Sequence, residues 1–368
     1  MNLYDDLHPT THLPPIDEAE MSDEKVLLEL KKVRQELGED VCILGHHYQQ
    51  DDIIALSDVT GDSLELAKVA QKLQRPHTIL FCGVHFMAET ADMLCGNKTV
   101  ILPDMKAGCS MADMANIQDI EQAWAWMAGQ TADKIIPITY INCAASLKAF
   151  VGKNEGAICT SSNAEKIIRW GLERGEKMLF FPDQHLGRNT CFKMGIPLSE
   201  MVVYNPKLPQ GGLSSADIKK AKVILWYGYC SVHQGFQLDH VKEWRRKDPA
   251  RMILVHPECN FEVTQAADLA GSTSYIIRTI EQAPAGSKFA VGTEINLVNR
   301  LAKRFQDKDI TSLSPYQCLC TTMYRIRPRW LLESLLSVKR KQPINIVKVD
   351  AETTRWSLLA LERMLENS

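Results

Sequence analysis

The sequence predicts an α/β protein made of three small units, each a short parallel sheet covered by helices. Three observations carry this. Short apolar runs rich in β-branched residues alternate with amphipathic stretches of helical period, the βαβ pattern of a parallel sheet. Those runs fall into three successive sets, each too small for one large sheet, although no repeat is visible in the residues themselves. The chain has 368 residues and is 45% hydrophobic, enough to bury cores without disulfide or metal staples. One continuous doubly wound sheet is the competing reading.

The elements follow in order. Residues 1–20 are acidic and Pro-containing and read as an arm. Helical spacing covers 21–38, with Ser22 as N-cap and Gly38 as the stop. The first set of expected strands is Val41–Leu44, Thr78–Cys82 and Thr99–Leu102. The second is Ile135–Tyr140, Ala157–Cys159, Met178–Phe181 and Val202–Tyr204. The third is Val223–Tyr227, Met252–Val255, Ser274–Ile277 and Lys288–Val291. Helices are expected over Ser63–Gln74, Ile117–Met127, Asn163–Arg174 and Leu238–Arg246. The Arg/Lys/Leu-rich tail 325–368 reads as mostly helical and folded back. The expected domains are 1–130 joined by 305–368, then 131–215, then 216–304.

Composition excludes several classes. Lys+Arg is 42 against Asp+Glu 45, a net charge of −3, so no basic excess points to nucleic acid or an anionic membrane. Mean hydropathy is −0.17, and no apolar run approaches the ~18 residues of a membrane span. The N-terminus lacks the basic start and apolar stretch of a signal peptide, so a cytoplasmic location is expected. Eleven cysteines, an odd number in a reducing compartment, argue against a disulfide framework.

Ligands of α/β sheets bind beyond the carboxyl ends of the strands. Those ends carry GHHYQQDD (Gly45–Asp52), CGVHFMAET (Cys82–Thr90), TYINC (Thr139–Cys143), GYCSVH (Gly228–His233) and HPECN (His256–Asn260). This density of His, Cys, Tyr, Asn and Glu exceeds what turns require. Cys109, Cys230 and Cys320 stand one in each third of the chain, and three soft thiolates brought together would select zinc, copper(I) or an iron–sulfur cluster. Their spacing fits neither a zinc pair nor a ferredoxin run, so buried thiols stay open as the alternative. Three Ser/Thr turns open helices, at Gly61–Ser63, Thr160–Asn163 and Gly271–Ser274, and suit phosphate or carboxylate. Plain N-caps are the other reading of each. No nucleotide-binding glycine motif occurs at these turns.

GHHYQ…GDSLELA, FCGVHFMAETA, KAGCSMADM, TYIN, CTSSNA, FFPDQHLGRN, GYCSVHQ, HPEC, GSTS and CLCTTM occur in that order from about Val41 to Met323. Together they resemble the quinolinate synthase family, in its longer Bacillus-like type. The resemblance implies condensation of iminoaspartate with dihydroxyacetone phosphate to quinolinate, phosphate and water, in NAD biosynthesis. It implies three similar α/β domains in pseudo-threefold arrangement around one [4Fe-4S] cluster per chain. Carried over by motif, the cluster ligands are Cys109, Cys230 and Cys320, with Cys318 two residues away as the ambiguity. One iron left open would act as a Lewis acid in dehydration. Tyr48 and Glu258 become the acid/base pair, with His46 and His256 beside them. Tyr140 and Asn142 become substrate-positioning groups, and Ser63, Ser161, Ser272 and Thr273 hold phosphate or carboxylates. His47, His85, Glu89, His185 and His233 remain divided between supporting and direct roles. Cys259 and Cys318 are a candidate regulatory disulfide. L-aspartate oxidase as a transient partner and a homodimer are compatible with the resemblance. The competing functions are a zinc hydrolase using His46, His256 and Glu258, and a non-enzymatic iron–sulfur sensor.

Overall fold

The structure, a computed structural model, describes residues 21–367. The arm expected at 1–20 lies outside the described residues. The first helix is Asp23–Leu37; Ser22 Oγ accepts the Lys25 N–H at 3.4 Å, and Gly38, at φ 52°, ends it in a conformation that suits glycine.

Fourteen strands among the described residues form three separate sheets, which rules out one continuous doubly wound sheet. The first holds β1 (Val41–His46), β2 (Val59–Gly61), β3 (Thr78–Cys82) and β4 (Thr99–Ile101). The second holds β5 (Ile135–Tyr140), β6 (Ala157–Cys159), β7 (Lys177–Phe181), β8 (Met201–Tyr204) and β9 (Val223–Trp226). The third holds β10 (Met252–Val255), β11 (Leu269–Ala270), β12 (Lys288–Gly292) and β13 (Asp309–Ser312). β14 (Ile346–Val347) returns antiparallel to β4, while every other pairing is parallel. β1, β5 and β7 are buried along their whole length, and β10 and β12 beyond their first residue, as helices on both faces require.

The spatial orders are β2-β1-β3-β4, β6-β5-β7-β9 and β11-β10-β12-β13, with β14 added beyond β4 and β8 beyond β9. The same order recurs three times. A second echo lies in the side chains. Asp58 accepts the Ile43 N–H at 2.7 Å and pairs with Arg34 at 2.6 Å; Asp268 accepts the Ile253 N–H at 2.6 Å and pairs with Arg245 at 2.8 Å. The repeat missing from the residues is therefore present in the backbone.

Three expectations are corrected. The stretch Ser274–Ile277 is not a strand but part of the helix Thr273–Gln282, because Ser272 caps it by accepting the Tyr275 N–H at 3.3 Å. The strand expected at Val223–Tyr227 pairs with β7 and β8, so it completes the second sheet rather than opening the third. The third sheet is closed instead by β13, whose polar sequence DITS hid it.

The chain forms two compact bodies. One comprises 21–61, 65–108 and 321–348; the other comprises 62–64, 109–320 and 349–367. In the first, the helix Pro328–Lys339 packs on Asp23–Leu37. In the second, the helix Ala351–Glu366 packs on Ala145–Lys153, so closely at Gly152 that a Cβ would stand 1.9 Å from the Trp356 carbonyl oxygen. The tail expected to join the first domain as a whole is thus divided between the two bodies.

Candidate active site

The second body carries a buried polar cluster behind β10. There His256-Pro257-Glu258 turns sharply, and the Glu258 N–H donates to His256 Nδ1 at 3.3 Å. Glu258 Oε2 lies 2.7 Å from His233 Nδ1, and His233 Nε2 lies 3.2 Å from Thr293 Oγ1. The carboxylate only accepts, so the His233 Nδ1–H must donate to it. The His233 and His256 rings stack 4.4 Å apart. The Tyr140 hydroxyl also hydrogen-bonds Glu258. Glu258, His233 and His256 are all nearly inaccessible to solvent.

Burial works against the Glu258 charge, but His256, His233 and the Tyr140 hydroxyl more than offset it and hold the carboxyl well below the usual range. Burial pushes His256 down to about 3, so it stands as a neutral imidazole beside an ionised carboxylate. An ionised carboxylate fixed by donors, next to a neutral imidazole, is a positioned acceptor facing the site; its lowered pKa keeps it charged rather than tuning it toward neutral pH.

The loop after β1 in the first body repeats the device. The Tyr48 N–H donates to His46 Nδ1 at 3.1 Å, and the two rings meet edge-on at 4.8 Å. His46 is buried and Tyr48 half-buried. His47 Nε2 lies 3.7 Å from Glu65, and His85 Nδ1 lies 3.7 Å from Glu89 on its own helix.

The three candidate ligand cysteines all belong to the second body. Each follows the fourth strand of its repeat: Cys109 after β4, Cys230 after β9, Cys320 after β13. All three are half-buried, and the charges of Cys320 and Cys109 act on one another and on Cys230. Burial pushes the Cys109 thiol up to about 12 and that of Cys230 well above its usual range. Three thiols at mutual electrostatic reach repel as thiolates, and a bound cation reverses that. Cys318 is packed with Cys259 inside an apolar core containing Phe236, Val263 and Leu313, against which Cys230 and Cys320 also pack. Cys259 and Cys318 are free thiols.

The anion turns also lie in the second body. Ser63 opens the helix Ser63–Lys72, Ser161 precedes Ala164–Leu172, and Ser272 and Thr273 open Thr273–Gln282. Asn142 follows β5; its Oδ1 is buried without a hydrogen-bond partner among the described residues. Such an atom costs about 1–3 kcal/mol unless a ligand satisfies it.

A family profile described as "Quinolinate synthetase A protein" matches residues 28–366. The quinolinate synthase of Bacillus cytotoxicus is 48% identical over 367 residues, covering 100% of both chains. That of Rhodopirellula baltica is 50% identical, covering 98% of this chain and 94% of its own, and that of Bacillus cereus is 47% identical over the whole of both. The chain belongs to the quinolinate synthase family. It is an enzyme of NAD biosynthesis and acts on small molecules. The quinolinate synthases are iron–sulfur dependent, and the three cysteines that follow the fourth strands fit such a group by donor type, number and mutual proximity.

Of the expected site residues, Tyr140, Asn142, His256, Glu258, Ser63, Ser161, Ser272, Thr273 and the three cysteines fall in the second body; His46 and Tyr48 fall in the first. Sequence reading left His233 undecided and did not single out Thr293 or Asp62. The signal for His233 is its place three residues after Cys230, on the short helix Ser231–Gln234. Among the described residues no helix is long and apolar enough to cross a membrane.

Proposed function

We propose that the enzyme condenses iminoaspartate with dihydroxyacetone phosphate, releasing quinolinate, phosphate and water, on a [4Fe-4S] cluster held by Cys109, Cys230 and Cys320. Three similar α/β domains, one built on each sheet, would surround it in pseudo-threefold arrangement. The recurrence of one strand order, with one cysteine after each fourth strand, carries this reading. When bound, a cluster with three protein ligands supplies a Lewis-acidic iron suited to expelling hydroxide.

The protein's own groups do the rest. Ser63, Ser161, Ser272 and Thr273 bind phosphate and carboxylates at helix starts, where N–H groups and the dipole favour anions. Asn142 and Tyr140 orient the substrate. Glu258, held ionised by His233, takes a proton from substrate carbon, and neutral His256 relays it. Tyr48, aligned by His46, supplies the acid. Eleven free thiols support a cytoplasmic enzyme. L-aspartate oxidase is a candidate supplier of iminoaspartate.

Iron and sulfide analysis with a visible spectrum, after anaerobic purification, tests the ligand set. Cys109→Ala, Cys230→Ala and Cys320→Ala should lose iron and colour, while Cys318→Ala keeps both. A cluster that survives loss of Cys109 or Cys230 sinks the assignment. One observation favours a second reading. Cys230, His233 and Glu258 present ligand atoms all within 4.8 Å of one another, a donor set that would suit one zinc ion. One zinc and no sulfide per chain would select it.

A further inference from the structure

Asp62, the residue before Ser63, ties the three anion turns together. Its Oδ1 accepts the Leu64 N–H at 3.0 Å, capping the helix that Ser63 opens. Its Oδ2 accepts two hydroxyls, from Ser162 at 2.9 Å and from Ser274 at 2.7 Å. Ser162 lies in the turn before the helix Ala164–Leu172, and Ser274 lies in the first turn of Thr273–Gln282. One buried carboxylate therefore touches three helix starts, one from each strand repeat.

The neighbours matter as much as the contacts. Asp62 adjoins Ser63, Ser162 adjoins Ser161, and Ser274 adjoins Thr273. Each residue of the Asp62 knot is thus next in sequence to a residue assigned to the anion. The hydroxyl hydrogens of Ser162 and Ser274 are spent on Asp62, which makes these serines struts rather than ligands. A carboxylate this close to an anion site is electrostatically adverse, and three converging helix N-termini can offset it.

We propose that Asp62 is a positioning residue that assembles Ser63, Ser161 and Thr273 into one cradle for the phosphate or carboxylate of the substrate. This rests on the anion-site reading above.

The experiment uses the full-length, cluster-loaded enzyme and measures KM for dihydroxyacetone phosphate, kcat, and inhibition by inorganic phosphate. Asp62→Ala should raise KM and the phosphate inhibition constant about tenfold or more, with a much smaller change in kcat. Ser162→Ala and Ser274→Ala should each raise KM by a few fold, and either should add little once Asp62 is already Ala, since they act through it. Asp62→Asn, which keeps shape but loses one acceptor, should fall between. Unchanged KM in Asp62→Ala, or full additivity with Ser162→Ala, overturns the proposal. Should Asp62→Ala fail to fold, the two serine variants decide in the same way: raised KM supports it, unchanged KM overturns it. Ser161→Ala and Thr273→Val separate the two readings. If they leave KM unchanged, the anion site itself is wrong; if they raise it while Asp62→Ala does not, only the role of Asp62 falls.

Discussion

Glu258 shows what a single buried charge needs. It survives burial because His233, His256 and Tyr140 face it. Glu258→Gln keeps the shape and loses the proposed base, so kcat should fall by about 10²–10⁴ while iron content stays at the wild-type level. His233→Ala should give a smaller fall, since it removes a support and not the base. His185 gives a pH signature. Burial holds it down at about 4 against an ordinary 6.5, with Nε2 fixed 3.1 Å from Gln234. The unfolded chain takes up this proton near 6.5 and the folded chain does not until about 4. The stability contribution is therefore complete above 6.5 and is lost as pH falls from there toward 4, on the order of 3 kcal/mol in all. Urea midpoints should drop between about pH 7.5 and about pH 5, and less steeply in His185→Gln. At this scale the sequence reading named most of the groups now found together, because motifs keep residues adjacent in the chain. It left His233 undecided, because its bonds to Glu258 and Thr293 join segments far apart in sequence.

Elements were legible in proportion to their hydrophobic length. β1, β3, β5 and β7 were read correctly as buried runs. β2, β11 and β14, of two or three residues each, carry too little pattern to be seen. Ser274–Ile277 misled because Tyr-Ile-Ile favours strands, yet a capped helix start outweighs propensity. Close approach makes two glycines testable. A Cβ at Gly228 would lie 2.2 Å from the Pro182 carbonyl oxygen, so Gly228→Ala should displace the loop that presents Cys230 and lower the iron bound per chain. Gly152→Ala would drive Ala145–Lys153 off Ala351–Glu366 and should cost about 1–3 kcal/mol in denaturant unfolding, with iron content unaffected.

For the whole molecule, the three sets were visible and their borders were not. Strand runs announce themselves, but which sheet adopts β9 depends on pairing with β7 and β8, which no local pattern records. The same holds for the tail, whose two helices read alike and join different bodies. Ending the chain at Lys348 removes the helix on Ala145–Lys153 and should leave the second body open to proteolysis, read as early cleavage within 135–175.

The placement of one cysteine after each fourth strand also bears on biogenesis. The proposed ligands lie far apart in sequence, and Cys320 is the last of them to be made. A growing polypeptide that has displayed only Cys109 and Cys230 offers an incomplete set. On the proposed ligand set, metal loading would wait until the segment carrying Cys320 has been made and folded, which would make cofactor insertion a checkpoint for all three repeats.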